Sequence, residues 1–180
     1  MKIIESFLKL IDFFTKLIMG VGIIGGVVVS FINIVARFFN IALPWASELT
    51  IYLFLWSAFF GAAYNFKENA HIGVTILQEK LPSKLKRVVA FISYIVIFIF
   101  LSAVAYFGYK YILLEIELEE ISTDLHVPMW IVYLAIPLSF GIGAIYTLEN
   151  MVKLILAKDD ALVIKDETKV VLEEFNFKEE

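Results

Sequence analysis

The sequence predicts an all-α integral membrane protein with four transmembrane helices, and three observations support that fold class. Hydrophobic residues make up 61% of the 180-residue chain, above the roughly 45 to 50% that is usual in soluble domains. Four charge-free windows approach the roughly 20 residues that a helix needs to cross a bilayer. Lysines and arginines are concentrated in alternate connecting segments, as they are in multi-span membrane proteins.

We predict the four spans at residues 17–36, 49–66, 88–109 and 127–148. The chain then divides into an amphipathic segment 1–16, a membrane domain 17–156 and a charged tail 157–180. All but two of the 15 lysines and arginines lie in the N-terminal segment, the second loop and the C-terminal segment. Because positively charged flanks stay in the cytoplasm, we expect both termini there and the first and third loops outside.

Residues 2–16 have the periodicity of an amphipathic helix, with apolar side chains on one face and charged side chains on the other. We expect this helix to lie in the cytoplasmic interface of the membrane. A secretory signal peptide is the alternative reading. The first apolar span is longer than a signal h-region and lacks a small-residue cleavage site, so we expect the segment to be retained.

The first span contains glycines at two meaningful spacings. Gly20, Gly22 and Gly25 spell GxGxxG, but they lie inside an apolar span and not between a strand and a helix, so a dinucleotide site is rejected. Gly22 and Gly26 form a GxxxG pair, which lets a second helix approach closely. We therefore expect this face to pack against another helix.

The segment between the first two spans carries polar and aromatic residues at the membrane surface. Pro44 breaks the chain, Trp45 suits the interface, and Ser47 is placed to cap a helix whose first turn carries Glu48. Arg37 and Glu48 have two readings. They are either separate interfacial charges, or they bond to each other or to a partner and so fix the first two helices.

The second loop is expected to face the cytoplasm. Residues 70–81 fit a short surface helix that contains His71, and Pro82 precedes the third span. Lys84, Lys86 and Arg87 form a basic collar, for which anionic lipid of the inner leaflet is the expected partner.

The third span is followed by a strongly acidic segment. Residues 111–121 fit both strand and helix periods, and we predict a helical extension. The acids of this region are Glu115, Glu117, Glu119, Glu120 and Asp124. They are expected to form a negative outer patch that is either simply solvated or docks a periplasmic protein.

The fourth span contains Pro137, which has no N–H to offer the carbonyl of Tyr133. We therefore predict a kink in the turn from Tyr133 to Pro137. Gly141 and Gly143 permit close packing of the same span.

Several classes of function are excluded by what the chain lacks. It has no cysteine, so disulfides, thiolate metal sites and cysteine nucleophiles are impossible. His71 and His126 each lack a second ligand at metal spacing, and we expect no cofactor. No charged residue lies within the predicted spans, which argues against an intramembrane ion relay and against an enzyme. Basic residues are few and mostly flank the spans, so nucleic acid is not an expected partner.

An ordered series of motifs runs along most of the chain. It comprises Arg37, Phe38, Phe39 and Asn40; Pro44, Trp45 and Glu48; Trp56, Gly61, Ala62 and Ala63; His71 and Ile72; Leu81 and Pro82; and Val127, Pro128, Met129, Trp130 and Pro137. In this order the motifs resemble the small membrane subunit (DctQ-like, Q) of tripartite ATP-independent periplasmic (TRAP) transporters. The resemblance covers about residues 15 to 155.

The resemblance implies a role as an accessory subunit in the bacterial inner membrane. The implied partners are a large membrane subunit (M) with the substrate and sodium sites and a periplasmic binding protein (P) that delivers an organic acid anion. Membrane lipids are the partner expected from the basic collar. Dicarboxylates, sialic acid and other carboxylates all remain open as substrates. The candidate structural or interface residues are Gly22, Gly26, Arg37, Trp45, Glu48, Trp56, Gly61, His71, Pro128 and Pro137.

In that role, the glycine face of the first span and the kinked fourth helix are expected to contact the large subunit. The alternative is a self-sufficient four-helix exporter or channel. An exporter of that kind is expected to hold a carboxylate at mid-membrane, whereas Glu48 lies at the edge of its span.

Overall fold

The computed structural model of the chain describes residues 2–67 and 83–156. Its helices are α1 (Lys2–Phe38), α2 (Pro44–Lys67), α3 (Ser83–Leu118), α4 (Met129–Tyr133) and α5 (Ala135–Leu156). Four segments are long and apolar enough to cross a membrane, the fourth being α4 and α5 together. The prediction of an all-helical chain with four such segments is therefore confirmed. The predictions for residues 70–81, for His71 and for the tail 157–180 lie outside the described residues.

Helix α1 is continuous from Lys2 to Phe38. No proline or glycine occurs before Gly20 to interrupt it, and its 37 residues correspond to a length of about 55 Å. That length exceeds the roughly 30 Å of a hydrocarbon core. The expected separate interfacial helix at residues 1–16 is not confirmed, because this segment continues directly into the first span.

Helix α2 begins at Pro44, three residues before the predicted cap. Proline suits the first turn of a helix because its φ is already helical and it has no N–H to leave unpaired. The Ser47 hydroxyl instead accepts a hydrogen bond from Asn33 Nδ2 at 2.8 Å. The prediction that Ser47 caps this helix was wrong.

Helix α3 continues past the predicted span to Leu118, so the predicted helical extension over 111–121 is confirmed as far as Leu118, whereas Ile121 lies in an isolated bridge. Glu119 follows with a φ of 53°, in the left-handed region in which helices commonly end. The acidic segment is thus divided between the last turns of a helix and the loop that follows.

The fourth span is interrupted at Leu134, between the end of α4 at Tyr133 and the start of α5 at Ala135. This interruption lies in the turn for which the kink was predicted. The physical reason is the missing N–H of Pro137, which leaves the Tyr133 carbonyl without its helical donor.

The helices pack in the spatial order α1, α2, α5, α3. The fourth span and α2 are therefore the inner elements, and the fourth span is the most buried of the four, whereas α1 and α3 are the outer helices and expose broad apolar surfaces. Phe60, Leu101 and Tyr146 are among the buried side chains between the helices.

Side-chain contacts define the two ends of this bundle. Asp12 of α1 meets Lys67 at the end of α2, and Arg87 near the start of α3 meets Leu154 near the end of α5. We call this the Asp12 end, and we call the opposite end, with Arg37, Glu48 and the loop 119–128, the Glu48 end. Residues 2 and 156 thus lie toward the same end, and the cytoplasmic orientation of that end stays a prediction.

Candidate interaction surfaces at the two ends of the bundle

Glu48, one turn into α2, binds the loop that joins α3 to α4. Its Oε2 accepts hydrogen bonds from the backbone N–H groups of Asp124 at 2.9 Å and Leu125 at 2.8 Å. Its Oε1 accepts the Tyr52 hydroxyl at 2.5 Å. Hydrogen bonds to an ionised carboxylate are stronger than neutral ones, so Glu48 fixes this loop to α2.

The loop is closed on itself, which presents its amides to Glu48. Ile121 and Pro128 form an isolated antiparallel bridge, within which the Ser122 N–H donates to the Val127 carbonyl at 2.9 Å. The Val127 N–H in turn donates to Ser122 Oγ at 3.1 Å. His126 adopts a left-handed φ of 55° in this turn. His126 is thus a residue of this closed loop.

Arg37 does not pair with Glu48, although the sequence raised that possibility. Within residues 2–67 and 83–156 its guanidinium forms no ion pair. The side chain lies at an open cavity of about 450 Å³ whose lining is Ser30, Asn33, Ile34, Arg37 and Phe38. The first two helices are linked at this end by the Asn33–Ser47 hydrogen bond instead.

The predicted acidic patch is smaller than the sequence suggested. Glu115 is only 3% exposed, because it lies on the face of α3 that turns toward the fourth span. The exposed acids of this region are Glu117, Glu119, Glu120 and Asp124. The surface of the Glu48 end is therefore acidic, and one carboxylate lies beneath it.

The GxxxG pair of α1 packs against α2 within the chain. A Cβ atom built on Gly22 would lie 2.8 Å from both the Leu53 carbonyl oxygen and Ser57 Cβ. On Gly26 it would lie 2.5 Å from the ring of Phe54. Close helix packing at this pair is confirmed, and its partner is α2, so this glycine face is not open to another subunit.

The Asp12 end is held by charged and aromatic side chains from three helices. Asp12 lies 2.7 Å from Lys67 Nζ and 3.4 Å from Lys16 Nζ. Lys67 also lies 5.9 Å from the centre of the Tyr146 ring, a cation–π distance. Asn150 Nδ2 donates to the Phe66 carbonyl at 2.8 Å and so satisfies a carbonyl in the last turn of α2.

Arg87 of the predicted basic collar contacts protein. Its guanidinium donates to the carbonyls of Leu154 at 3.2 Å and Ile155 at 3.0 Å, in the last turn of α5, where cations are favourable. The side chains of Lys84 and Lys86 lie outside the described part, and contact of this collar with lipid stays a prediction.

The remaining candidate residues have ordinary packing roles. Trp56 stacks on Phe60 with ring centres 5.7 Å apart, and Gly61 faces Met19. Pro128 precedes α4, and Trp45 is exposed at the start of α2. In the described ranges, no three side chains of His, Asp or Glu come together as a metal site.

Sequence reasoning missed Tyr52, Asn150 and the Asp12–Lys67 pair. Tyr52 follows Glu48 by one helical turn, and that i, i+4 spacing was the available signal. Asn150 was visible as a polar residue at the end of an apolar span. The Asp12–Lys67 pair had no local signal because its members are 55 positions apart.

Comparison with known proteins identifies a family over most of the described chain. Residues 26–157 match the family described as tripartite ATP-independent periplasmic transporters, DctQ component. The C4-dicarboxylate TRAP transporter small permease protein DctQ of Rhodobacter capsulatus is 37% identical over 99 residues, which are 55% of this chain and 44% of that protein. A putative TRAP transporter small permease protein of Haemophilus influenzae is 42% identical over 64 residues, 35% of this chain and 40% of the relative.

A longer relative matches as well. The isethionate TRAP transporter permease protein DctMQ of Oleidesulfovibrio alaskensis is 27% identical over 111 residues, 61% of this chain and 17% of that protein. The chain thus spans less than half the length of each of these three relatives. The family match nevertheless covers the first two helices from residue 26, the loop bound by Glu48 and the whole fourth span. The chain therefore belongs to the DctQ component family of tripartite ATP-independent periplasmic transporters.

Proposed function

We propose that this chain is a non-catalytic scaffold subunit that binds the large membrane subunit of a TRAP transporter in the bacterial inner membrane. The family match over residues 26–157 is the observation that carries this proposal. In the proposed complex the large subunit holds the substrate and sodium sites, and a periplasmic protein delivers an organic acid anion. The names of the relatives mention C4-dicarboxylates and isethionate, both of which are anions.

A stable association with the large subunit is supported by the relative named DctMQ. This chain matches only 17% of that protein, which leaves ample length for a large subunit in the same polypeptide. A fused arrangement keeps the two parts together permanently. We propose that the separate chain binds its large subunit with comparable permanence.

The scaffold role is supported by contacts at both ends of the bundle. At the Glu48 end, α2 holds the loop before the fourth span through two hydrogen bonds. At the Asp12 end, α2 is tied to α1 through Lys67 and to α5 through Asn150. A bundle fixed at both ends suits a static support better than a moving element.

We place the large subunit on the exposed face of α1. Ile24, Phe31, Ile34 and Phe38 recur at helical spacing and are each at least 66% exposed. The same helix ends near Arg37, which has no ion pair with a described residue. An acidic side chain of the large subunit at this position would give the guanidinium a partner.

Cross-linking tests this placement, since the chain has no native cysteine. Phe31→Cys on α1 and Ile92→Cys on α3 are both exposed and serve as a matched pair. Each variant is coexpressed with its cognate large subunit and treated in membranes with an amine- and thiol-reactive cross-linker. We expect a cross-linked heterodimer from Phe31→Cys only. A heterodimer from Ile92→Cys alone would show that the interface lies on α3. If neither variant gave a heterodimer, the proposed association would be contradicted.

We also propose which side of the membrane each end of the bundle faces. The charge asymmetry of the sequence supports placing the Asp12 end in the cytoplasm and the Glu48 end in the periplasm. The exposed acids of the Glu48 end would then face the soluble binding protein. A loop fixed by Glu48 offers that protein a preorganised surface.

A further inference from the structure

Glu115 is a carboxylate buried between helices. Leu101, Gly108, Ile112 and Glu115 lie along one face of α3, at spacings of seven, four and three residues, and this face turns toward the fourth span. Glu115 is 3% exposed. Glu117 and Leu118, which follow it by two and three residues, are exposed. The burial is therefore specific to Glu115.

One oxygen of Glu115 has no hydrogen-bond partner among the described residues. That oxygen, Oε2, is fully buried. The Tyr111 side chain, one turn earlier, lies beside Glu115 and Tyr133, and the two tyrosine rings lie 5.2 Å apart. Glu48, by contrast, uses both of its oxygens as acceptors. Both oxygens of Glu48 therefore have hydrogen-bond donors, whereas Oε2 of Glu115 has none among the described residues.

No basic side chain compensates Glu115 within the described ranges. The nearest cation along α3, Lys110, lies 4.9 Å from the centre of the Tyr106 ring, and Glu115 forms no ion pair. A buried carboxylate without a counter-charge is costly, and it is commonly relieved by a cation or a proton.

We propose that Glu115 binds a small monovalent cation, Na⁺ or K⁺, through its buried Oε2. Hard cations prefer oxygen ligands, and Tyr111, one helical turn before Glu115, supplies a neutral hydroxyl oxygen beside the carboxylate. One carboxylate matches one positive charge. Burial also excludes a lysine or arginine of another protein, so a small ion is the ligand that fits.

The cation site is separate from the surface of α1 proposed to bind the large subunit, and its position indicates a structural role. It lies where α3 faces Tyr133, the last residue of α4. A cation held there would join α3 to the break in the fourth span. We therefore expect the ion to stabilise the bundle.

Thermal unfolding of the purified full chain in detergent tests the site. The wild type is compared in the chlorides of sodium, potassium and N-methyl-D-glucamine at equal ionic strength. We expect the unfolding midpoint to rise by about 3 to 5 °C when Na⁺ or K⁺ is present at ten times its Kd. Glu115→Gln is expected to lose this difference, whereas Glu117→Gln, on the exposed side of the same helix, is expected to keep it.

Three results would overturn the proposal. They are equal midpoints for the wild type in all three salts, a salt difference that survives in Glu115→Gln, and loss of the difference in Glu117→Gln alone. If Glu115→Gln does not fold, sodium-23 NMR of the wild type decides the matter. Line broadening that potassium reverses supports the site, and unbroadened sodium lines together with potassium-insensitive stability refute it.

Discussion

Glu48 is the residue whose role changed most between sequence and structure. Its carboxylate binds the Asp124 and Leu125 amides and the Tyr52 hydroxyl, and it does not bind Arg37. We expect Glu48→Ala to free the loop. Hydrogen exchange at the two amides should accelerate about ten- to a hundredfold, the ratio that loss of one hydrogen bond to a charged group gives. Exchange measured by mass spectrometry on a peptide that covers residues 122–127 checks this.

A second acidic residue of the same surface provides the control. Glu120 has an exposed side chain that takes part in no described hydrogen bond, so Glu120→Ala should leave exchange in the loop unchanged. Equal acceleration in both variants would show that overall charge, and not the Glu48 contacts, protects the loop.

The hydrogen-bond partners of Glu48 could not be predicted from the sequence. Arg37 and Glu48 were considered together because opposite charges near each other in sequence often pair. The actual partners of Glu48 are backbone amides 76 and 77 positions away, and every residue except proline carries such an amide. No side-chain pattern distinguishes those two positions, so only the fold reveals the contact.

Gly22 tests the packing of elements, because its missing side chain lets α1 and α2 approach. The contacts that a Cβ atom would make are with a backbone carbonyl and a Cβ, neither of which can rotate away. We expect Gly22→Ala to lower the free energy of unfolding by about 1 to 3 kcal/mol, the usual cost of overpacking. Titration with a denaturing detergent measures this change.

Gly20→Ala is the matched control on the same helix. No atom lies within 4 Å of the position that its Cβ would take. The higher helix propensity of alanine should therefore leave stability unchanged or raise it by up to about 1 kcal/mol. If Gly22→Ala were as stable as Gly20→Ala, the close approach of the two helices would be refuted.

Elements were easier to predict than their ends. The four spans follow from hydropathy alone, and the kink follows from Pro137, since the missing N–H acts locally. The start of α2 was misplaced because Ser47 looks like a cap in sequence, whereas Pro44 already begins the helix. The continuity of α1 was missed because a change from amphipathic to apolar composition does not by itself end a helix.

At the scale of the whole molecule, the row of helices explains why the partner surface was hard to predict. The sequence showed which faces are apolar but could not tell which of them the chain itself covers. The fold assigns the glycine face of α1 to α2 and places the fourth span between α2 and α3. Most of the exposed large apolar side chains in the described residues lie on α1 and α3, and these faces are open to lipid and to a large subunit.

The central claim is that this chain serves transport only together with a large subunit. Uptake of a labelled organic acid into proteoliposomes, with a sodium gradient and the cognate binding protein, tests it most directly. Three preparations are compared: this chain alone, the large subunit alone, and both together. We predict uptake only when both are present. Uptake by this chain alone, or equal uptake by the large subunit without it, would contradict the account.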